Sequence, residues 1–417
     1  MYKILFLFAA LTLMVLACNS KPDSVLRYSE VRGQKIPELD LSKIDDEVSE
    51  IPLSDIISGY YIVPLETTGE CLIGPFIQQV EFSPEGIIVS TQIFPEPAPV
   101  YLFSDKGKFI RSIGKGGKGP GEHSSVYVAG LDWNEGLVVS FDQPQLFDHD
   151  YNYAGDIKQP YSHMGPVYRC SEDLFFSPGE ITGHRRFGKD SVMLVFHNMD
   201  GKIISIIPRQ KYPPGVNDYT PETKRKAVYR YNNSWKMQIP GCDTVYIVGN
   251  KILQPSMIVK TGDKGFQYNK FADQSDQVGH YESILIAERS KYWLFRNFVL
   301  TGSDLKESRP GSWTGMTAWD FEYIFVDKED GSSRRFRLVD DIWQLCDTER
   351  LTKDAIFIDN EWLVFYLQAP DIKVKIAEKL EPRDIAQDLK SRLEELDKQI
   401  SEDSNPVIFV FNLKEKI

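Results

Sequence analysis

Short apolar runs recur along most of this chain. Tyr60–Leu65 (YYIVPL), Ile87–Ser90 (IIVS), Val100–Phe103 (VYLF), Phe109–Ile113 (FIRSI), Leu137–Phe141 (LVVSF) and Val192–Phe196 (VMLVF) are rich in β-branched and aromatic residues and are bounded by turn residues, which predicts strands. The runs repeat in a fixed grammar. A polar pair plus Gly leads into a strand at Ser83-Pro84-Glu85-Gly86 and again at Trp133-Asn134-Glu135-Gly136. An aromatic strand end, an acidic turn and Gly recur around Asp105-Lys106-Gly107, Asp200-Gly201 and Asp330-Gly331. Such turns need positive φ, which Gly supplies without a steric penalty. Strand–turn–strand units recurring at roughly 50–60 residues point to a β-propeller, and residues 59–417 divide into about six of them. A pair of sandwiches would need two cores and a linker, and no Pro/Gly/Ser-rich linker splits the chain near its middle.

Two stretches follow other periods. Ile385, Leu389, Leu393, Leu396 and Ile400 recur at three- and four-residue steps among charged residues, which predicts one amphipathic helix over about 377–402, with Pro382 tolerated in its first turn. Asn405-Pro406 ends it, and Val407–Asn412 (VIFVFN) reads as a strand. The fold expected is therefore an all-β, six-bladed propeller with a C-terminal amphipathic helix inserted before the closing strand. The helix is expected to brace the rim; a lid over the channel mouth is the sharper alternative.

At the other end, Lys3 precedes fourteen almost uninterrupted apolar residues, Ile4–Ala17. That is too short to cross a ~30 Å hydrocarbon core, so residues 1–17 read as a signal peptide. The run closes Val15-Leu16-Ala17-Cys18, which resembles a bacterial lipobox and makes Cys18 the expected lipid attachment site. Residues 18–58 read as a tether and approach segment, and 59–417 as the propeller.

Composition narrows the field. The balance of 42% hydrophobic and 26% charged residues is that of a folded protein. Lys+Arg 48 against Asp+Glu 60 gives −12, and loss of Lys3 with the signal takes this to −13, so nucleic acid is a poor partner. An acidic protein near anionic headgroups is held by its lipid rather than by charge. Cys71, Cys170, Cys242 and Cys346 are far apart and form no C-x-x-C pair, so they read as buried thiols rather than a zinc cluster.

Several pieces together resemble the six-bladed β-propeller lipoproteins of the Bacteroidota, relatives of the NHL-repeat propellers. They are Val63-Pro64-Leu65-Glu66-Thr67-Thr68 with Leu72-Ile73-Gly74, Phe103-Ser104-Asp105-Lys106-Gly107-Lys108-Phe109, Ile113 to Glu122 (IGKGGKGPGE), Asp243-Thr244-Val245-Tyr246 and Asn405-Pro406-Val407. Residues 209–241 depart from the pattern. The resemblance implies a closed ring in which Val407–Asn412 pairs beside Tyr60–Leu65. It also implies an accessory role beside outer-membrane nutrient uptake, without a settled ligand or reaction.

Candidate chemistry is sparse. Gly114 to Gly119 matches G-x-G-x-x-G, but Pro120-Gly121 follows and no βαβ unit is visible, so a tight blade-to-blade loop fits better than a dinucleotide site. Lys115 and Lys118 in that loop are candidate anion contacts, and Glu122, His123 and Asp142 are candidate channel-mouth residues. Asp148-His149-Asp150 reads as turn chemistry. Trp313 and Trp319, in GSWTGMTAW, are candidate stacking surfaces for a sugar; Tyr229–Tyr231 with Trp235 form a second aromatic stretch. No G-x-S-x-G or H-E-x-x-H occurs. The function expected is a non-enzymatic, membrane-anchored binding propeller for a partner protein, glycan or peptide, with no cofactor. The alternative is a metal-assisted lyase or hydrolase with Ca²⁺ or a transition metal at the central channel.

Overall fold

The computed structural model describes residues 24–134, 136–160, 166–178, 192–208, 228–232, 234–238, 243–249, 251–265, 278–303, 306–309, 312–314, 317–358, 360–381 and 385–416. Cys18, Cys242, Pro382 and the signal peptide lie outside them.

Six antiparallel sheets follow one another around a ring. Their innermost strands are Phe76–Ser83, Gly130–Trp133, Tyr168–Ser171, Val228–Tyr231, Tyr281–Glu288 and Ile356–Ile358, which define blades 1 to 6. Strand direction alternates within a blade. The first-to-second and third-to-fourth turns therefore share one end of the ring, here the hairpin end. The second-to-third turns and the connections between blades share the other, the crossover end.

The strands alternate at period 2 between two buried faces, so adjacent residues serve different interfaces. In blade 1, Val89 packs toward blade 6 and Ile88 toward blade 2; in blade 3, Phe175 packs toward blade 2 and Phe176 toward blade 4. Trp293 and Leu294 divide blade 5 in the same way, toward blades 4 and 6. Among the described residues, six hydrophobic clusters fill the six blade-to-blade interfaces. The large buried clusters lie between blades rather than within them, so stability is shared around the ring.

The turn grammar is realised as the residue pattern requires. Gly86 and Gly136 sit in first-to-second turns at φ 147° and 136°, and Gly107, Gly201 and Gly331 in third-to-fourth turns at φ 71–78°. A Cβ on Gly107 would fall 2.1 Å from the Pro64 carbonyl oxygen, so this turn presses directly on blade 6.

Closure follows the expected pairing and extends beyond it. Val407–Leu413 lies between Trp362–Leu367 and Ile57–Pro64, with Val407 opposite Pro64 and Phe411 opposite Tyr60. The segment read as tether and approach is, from Leu26 onward, part of the ring. The hairpin Leu26–Val31/Gln34–Asp40 adds to blade 4, Glu38 opposite Ile258 in parallel, and Val48–Pro52 adds in parallel to Ser333–Val339 of blade 5. Sequence reading missed these strands because few of their residues are buried, only isolated ones such as Leu39 and Ile51.

The inserted helix is a pair. Ala369–Leu380 and Gln387–Gln399 lie between the second and third strands of blade 6. Leu389, Leu393 and Leu396 form the expected stripe and join Ile372 and Ile376 in the blade 5–6 cluster, beside Trp343. Arg392 Nη2 donates to the Ile342 carbonyl, and Lys373 pairs with Asp397 at 2.6 Å. These contacts fix the pair to the rim as a brace, and neither helix lines the axial cavity.

Candidate functional site

The six innermost strands surround an axial cavity of about 100 Å³. Its wall mixes aromatic rings with charge. Arg230, on blade 4, reaches past blade 3 toward blade 2. Its guanidinium lies 4.3 Å over the Trp235 ring, donates to the Trp133 carbonyl at 3.2 Å and stands 3.8 Å from Asp132. The Asp132 carboxylate also accepts the Arg169 backbone N–H at 2.9 Å. Burial raises the phenol pKa values of Tyr168 and Tyr229, and the Tyr229 hydroxyl has no hydrogen-bond partner. Burial also pushes the Cys170 thiol up to about 12, far from a reactive thiolate.

The cavity leads at the hairpin end to a groove of about 570 Å³, formed by the first-to-second turns of blades 4, 5 and 6 and by Glu415. Asn360, at φ 59° in the blade 6 turn, ties the three together. Its side-chain oxygen accepts the Glu288 N–H at 2.9 Å, and its amide nitrogen donates to the Arg230 carbonyl. Beneath the groove, the buried Glu288 carboxylate lies between two ammonium groups. Lys236 contacts one oxygen, and Lys328 stands 3.2 Å from the other. Lys328 also lies 4.7 Å over the Trp293 ring; burial lowers its pKa, with Glu288 opposing. Above, Arg289 donates to the Asn360 carbonyl at 3.2 Å and pairs with Glu415, which also accepts from the Ser290 hydroxyl at 2.9 Å. The arrangement presents guanidinium, amide and hydroxyl groups to a polar ligand.

Of the residues singled out from sequence, Tyr229 and Trp235 line the axial cavity and Tyr231 lines the groove, while the Gly-rich loop, His123, Asp142 and Trp319 belong to the crossover end. Five of them meet. Glu122 accepts the backbone N–H groups of Lys118 and Gly119 at 2.9 and 2.8 Å and pairs with Lys115 at 3.0 Å, which holds its pKa down. A Cβ on Gly117, at φ 151°, would fall 2.0 Å from the Glu122 carboxylate, so the glycines exist to let this acid close its own loop. Lys115 is thereby engaged, and the Lys118 side chain is exposed. His123 is buried and stacks on Phe141 at 3.6 Å, while neighbouring Asp142 is exposed. Trp319 is half-buried against Ile284, Phe298 and Phe321. The backbone of Trp313 lies in strand Ser312–Thr314, and its side chain falls outside the described residues. Asp148 accepts two backbone N–H groups at 2.9 Å, as a turn residue does. Among the described residues, no three His, Cys, Asp or Glu side chains are grouped to hold a metal, and Cys71, Cys170 and Cys346 are unpaired thiols.

Sequence reading missed Arg230, Glu288, Arg289 and Asn360 as site residues. They come from three turns far apart in the chain. The available signal was weak: an Arg amid the aromatic run Tyr229–Tyr231, and Asn residues at the turns.

His123 supplies a pH prediction. Burial lowers its pKa below 6.5, and that of His197 likewise. The unfolded chain binds these protons more readily, so stability is full above the unfolded pKa and falls as pH drops through it. Denaturation midpoints measured from about pH 8 to about pH 5 should fall, and fall less steeply in His123→Gln. Equal slopes would exclude this origin.

No curated protein matches the chain. A solved structure from Bacteroides fragilis, of a protein designated as exported, is similar over 88% of this chain and 99% of its own, at 15% identity and a TM-score of 0.61. A DUF4221-family protein from Bacteroides vulgatus covers 86% of this chain and 98% of its own, at 11% identity and a TM-score of 0.39. The first supports the ring architecture alone. The family model described as Domain of unknown function (DUF4934) matches residues 36–412, from the blade 4 hairpin to the closing strand, and the chain belongs to that family.

Proposed function

We propose that this protein is an exported, non-enzymatic binding propeller, held to the outer membrane by lipid on Cys18, which takes a polar ligand from a glycan, peptide or partner protein into the hairpin-end groove. One observation carries the reading. The groove is lined by fixed hydrogen-bonding groups, while its buried acid, Glu288, is committed to two lysines. Export is supported by the apolar leader ahead of Cys18 and by the designation of the B. fragilis relative. An accessory role in nutrient uptake fits such a placement. No observation favours the metal-assisted lyase or hydrolase.

Membrane fractionation tests the anchor: Cys18→Ala should move the protein from the membrane to the soluble fraction, and unchanged retention would reject lipidation. The released protein then allows a thermal-shift screen against oligosaccharides and peptides. A stabilising ligand whose effect is lost in Asn232→Ala or Arg289→Lys supports the groove. One indifferent to those changes but lost in Trp319→Ala or Trp313→Ala moves the site to the crossover end.

A further inference from the structure

Arg289 is nearly buried, its side chain 10% exposed, yet its carboxylate partners are exposed: Glu415 at 64% and Glu361, 3.9 Å away, at 59%. A guanidinium presents a rigid fork of donors suited to a carboxylate with both oxygens engaged. Here the fork is only partly used. Nη2 meets one oxygen of Glu415, Nη1 is taken by the Asn360 carbonyl, and buried Nε has no hydrogen-bond partner. The second Glu415 oxygen goes to the Ser290 hydroxyl. Glu415 itself follows a fixed residue. Lys414 is held through its N–H to Ile56, its carbonyl to Tyr292 and its ammonium to Ser54 and Asp55. The carboxylate therefore reaches into the groove from an anchored neighbour while remaining open to solvent.

The charge balance around the groove points the same way. Four cations, Arg230, Lys236, Arg289 and Lys328, meet four acids, Asp132, Glu288, Glu361 and Glu415. Withdrawing Glu415 leaves Arg289 with only Glu361, 3.9 Å away, beside an unfilled donor pair.

We infer that Arg289 and Ser290 form a carboxylate-binding subsite, and that Glu415 occupies it as an internal stand-in until a ligand carboxylate displaces it. The inference rests on the groove being the ligand site, and it names the ligand chemistry: a free carboxylate, from a sugar acid or from a peptide C-terminus. An internal competitor lowers apparent affinity by the fraction of time it is bound. Removing it should therefore tighten binding without adding a contact.

The test is calorimetric titration of the mature full-length protein with D-glucuronate and with N-acetylglycylglycine, using glucose and the peptide amide as neutral counterparts. Glu415 is exposed, so Glu415→Gln should fold normally and should tighten a carboxylate probe by roughly fivefold, the scale of one exposed ion pair. Arg289→Lys and Ser290→Ala should weaken it. Gain with glucuronate alone identifies a sugar acid, and gain with the peptide alone identifies a C-terminus. No gain with either probe in Glu415→Gln overturns the inference. Neutral ligands bound as tightly as the carboxylates, with binding still lost in Asn232→Ala, would overturn it too while leaving the groove as the binding site.

Discussion

A chain ending at Pro406 is expected not to form the ring. Val407–Leu413 is an interior strand of blade 6, hydrogen-bonded on both edges. Val407, Ile408, Phe409, Val410 and Phe411 are at most fractionally exposed, alternating between the blade 5–6 and blade 6–1 clusters. Burying five such side chains contributes on the order of 10 kcal/mol, comparable with the whole net stability of a typical domain, ~5–15 kcal/mol. Its loss also strips Ile57–Pro64 of its partner and opens two interfaces at once. Far-UV circular dichroism and thermal unfolding of the truncated chain should show no cooperative transition. A cooperative melt near that of the intact protein would show that the ring closes without this strand.

The second large effect is expected at Asn405, whose side chain clasps the junction between blades 6 and 1. It is 4% exposed. Its oxygen accepts the Ile73 N–H at 2.9 Å, and its nitrogen donates to the carbonyls of Glu66 and Cys71 at 2.7 and 2.6 Å. Asn405→Ala strands two acceptors and one donor away from water, at about 1–3 kcal/mol for each buried group left unpaired. With the loss partly relaxed, a cost of about 3–5 kcal/mol and a fall in melting temperature of about 6–10 °C are expected. Asn405→Asp should be nearly as damaging, because a carboxylate offers no proton to those carbonyls. A melting point within about a degree of wild type would show that the clasp carries no weight.

That clasp explains why the ring was legible in the sequence. Three motifs far apart in the chain meet there. Leu65 donates its N–H to the Pro406 carbonyl, Glu66 donates to the Gly107 carbonyl and accepts the Phe109 N–H at 2.9 Å, and Thr67 accepts the Asn405 N–H at 2.7 Å. Closure needs particular turn residues and hydrogen-bonding side chains, so it leaves local marks. The strand alternation, the positive-φ glycines and the stripe Leu389, Leu393, Leu396 were readable for the same reason. The N-terminal strands left no such mark, since they are added at the outer side of blades 4 and 5 and bury few of their residues. The helix was read as one because its partner, Ala369–Leu380, buries only Ala369, Ile372 and Ile376. The groove was least legible of all. Arg230, Arg289 and Asn360 acquire a common purpose only where three turns converge, and no spacing along the chain encodes that convergence. Glu122 drew attention by its Gly-rich surroundings, which serve the loop itself.

The early strands have a consequence for biogenesis. Glu38 pairs with Ile258, Val48 with Arg335 and Pro64 with Val407, so the first three partners made wait for segments emerging far later from the ribosome. Contacts this remote in sequence slow folding, and unsatisfied strand edges invite aggregation in the interval. Blades 1 to 3, made of consecutive strands, can pair as they emerge, but ring closure waits for the last blade, and the opening segment keeps unpaired edges until then.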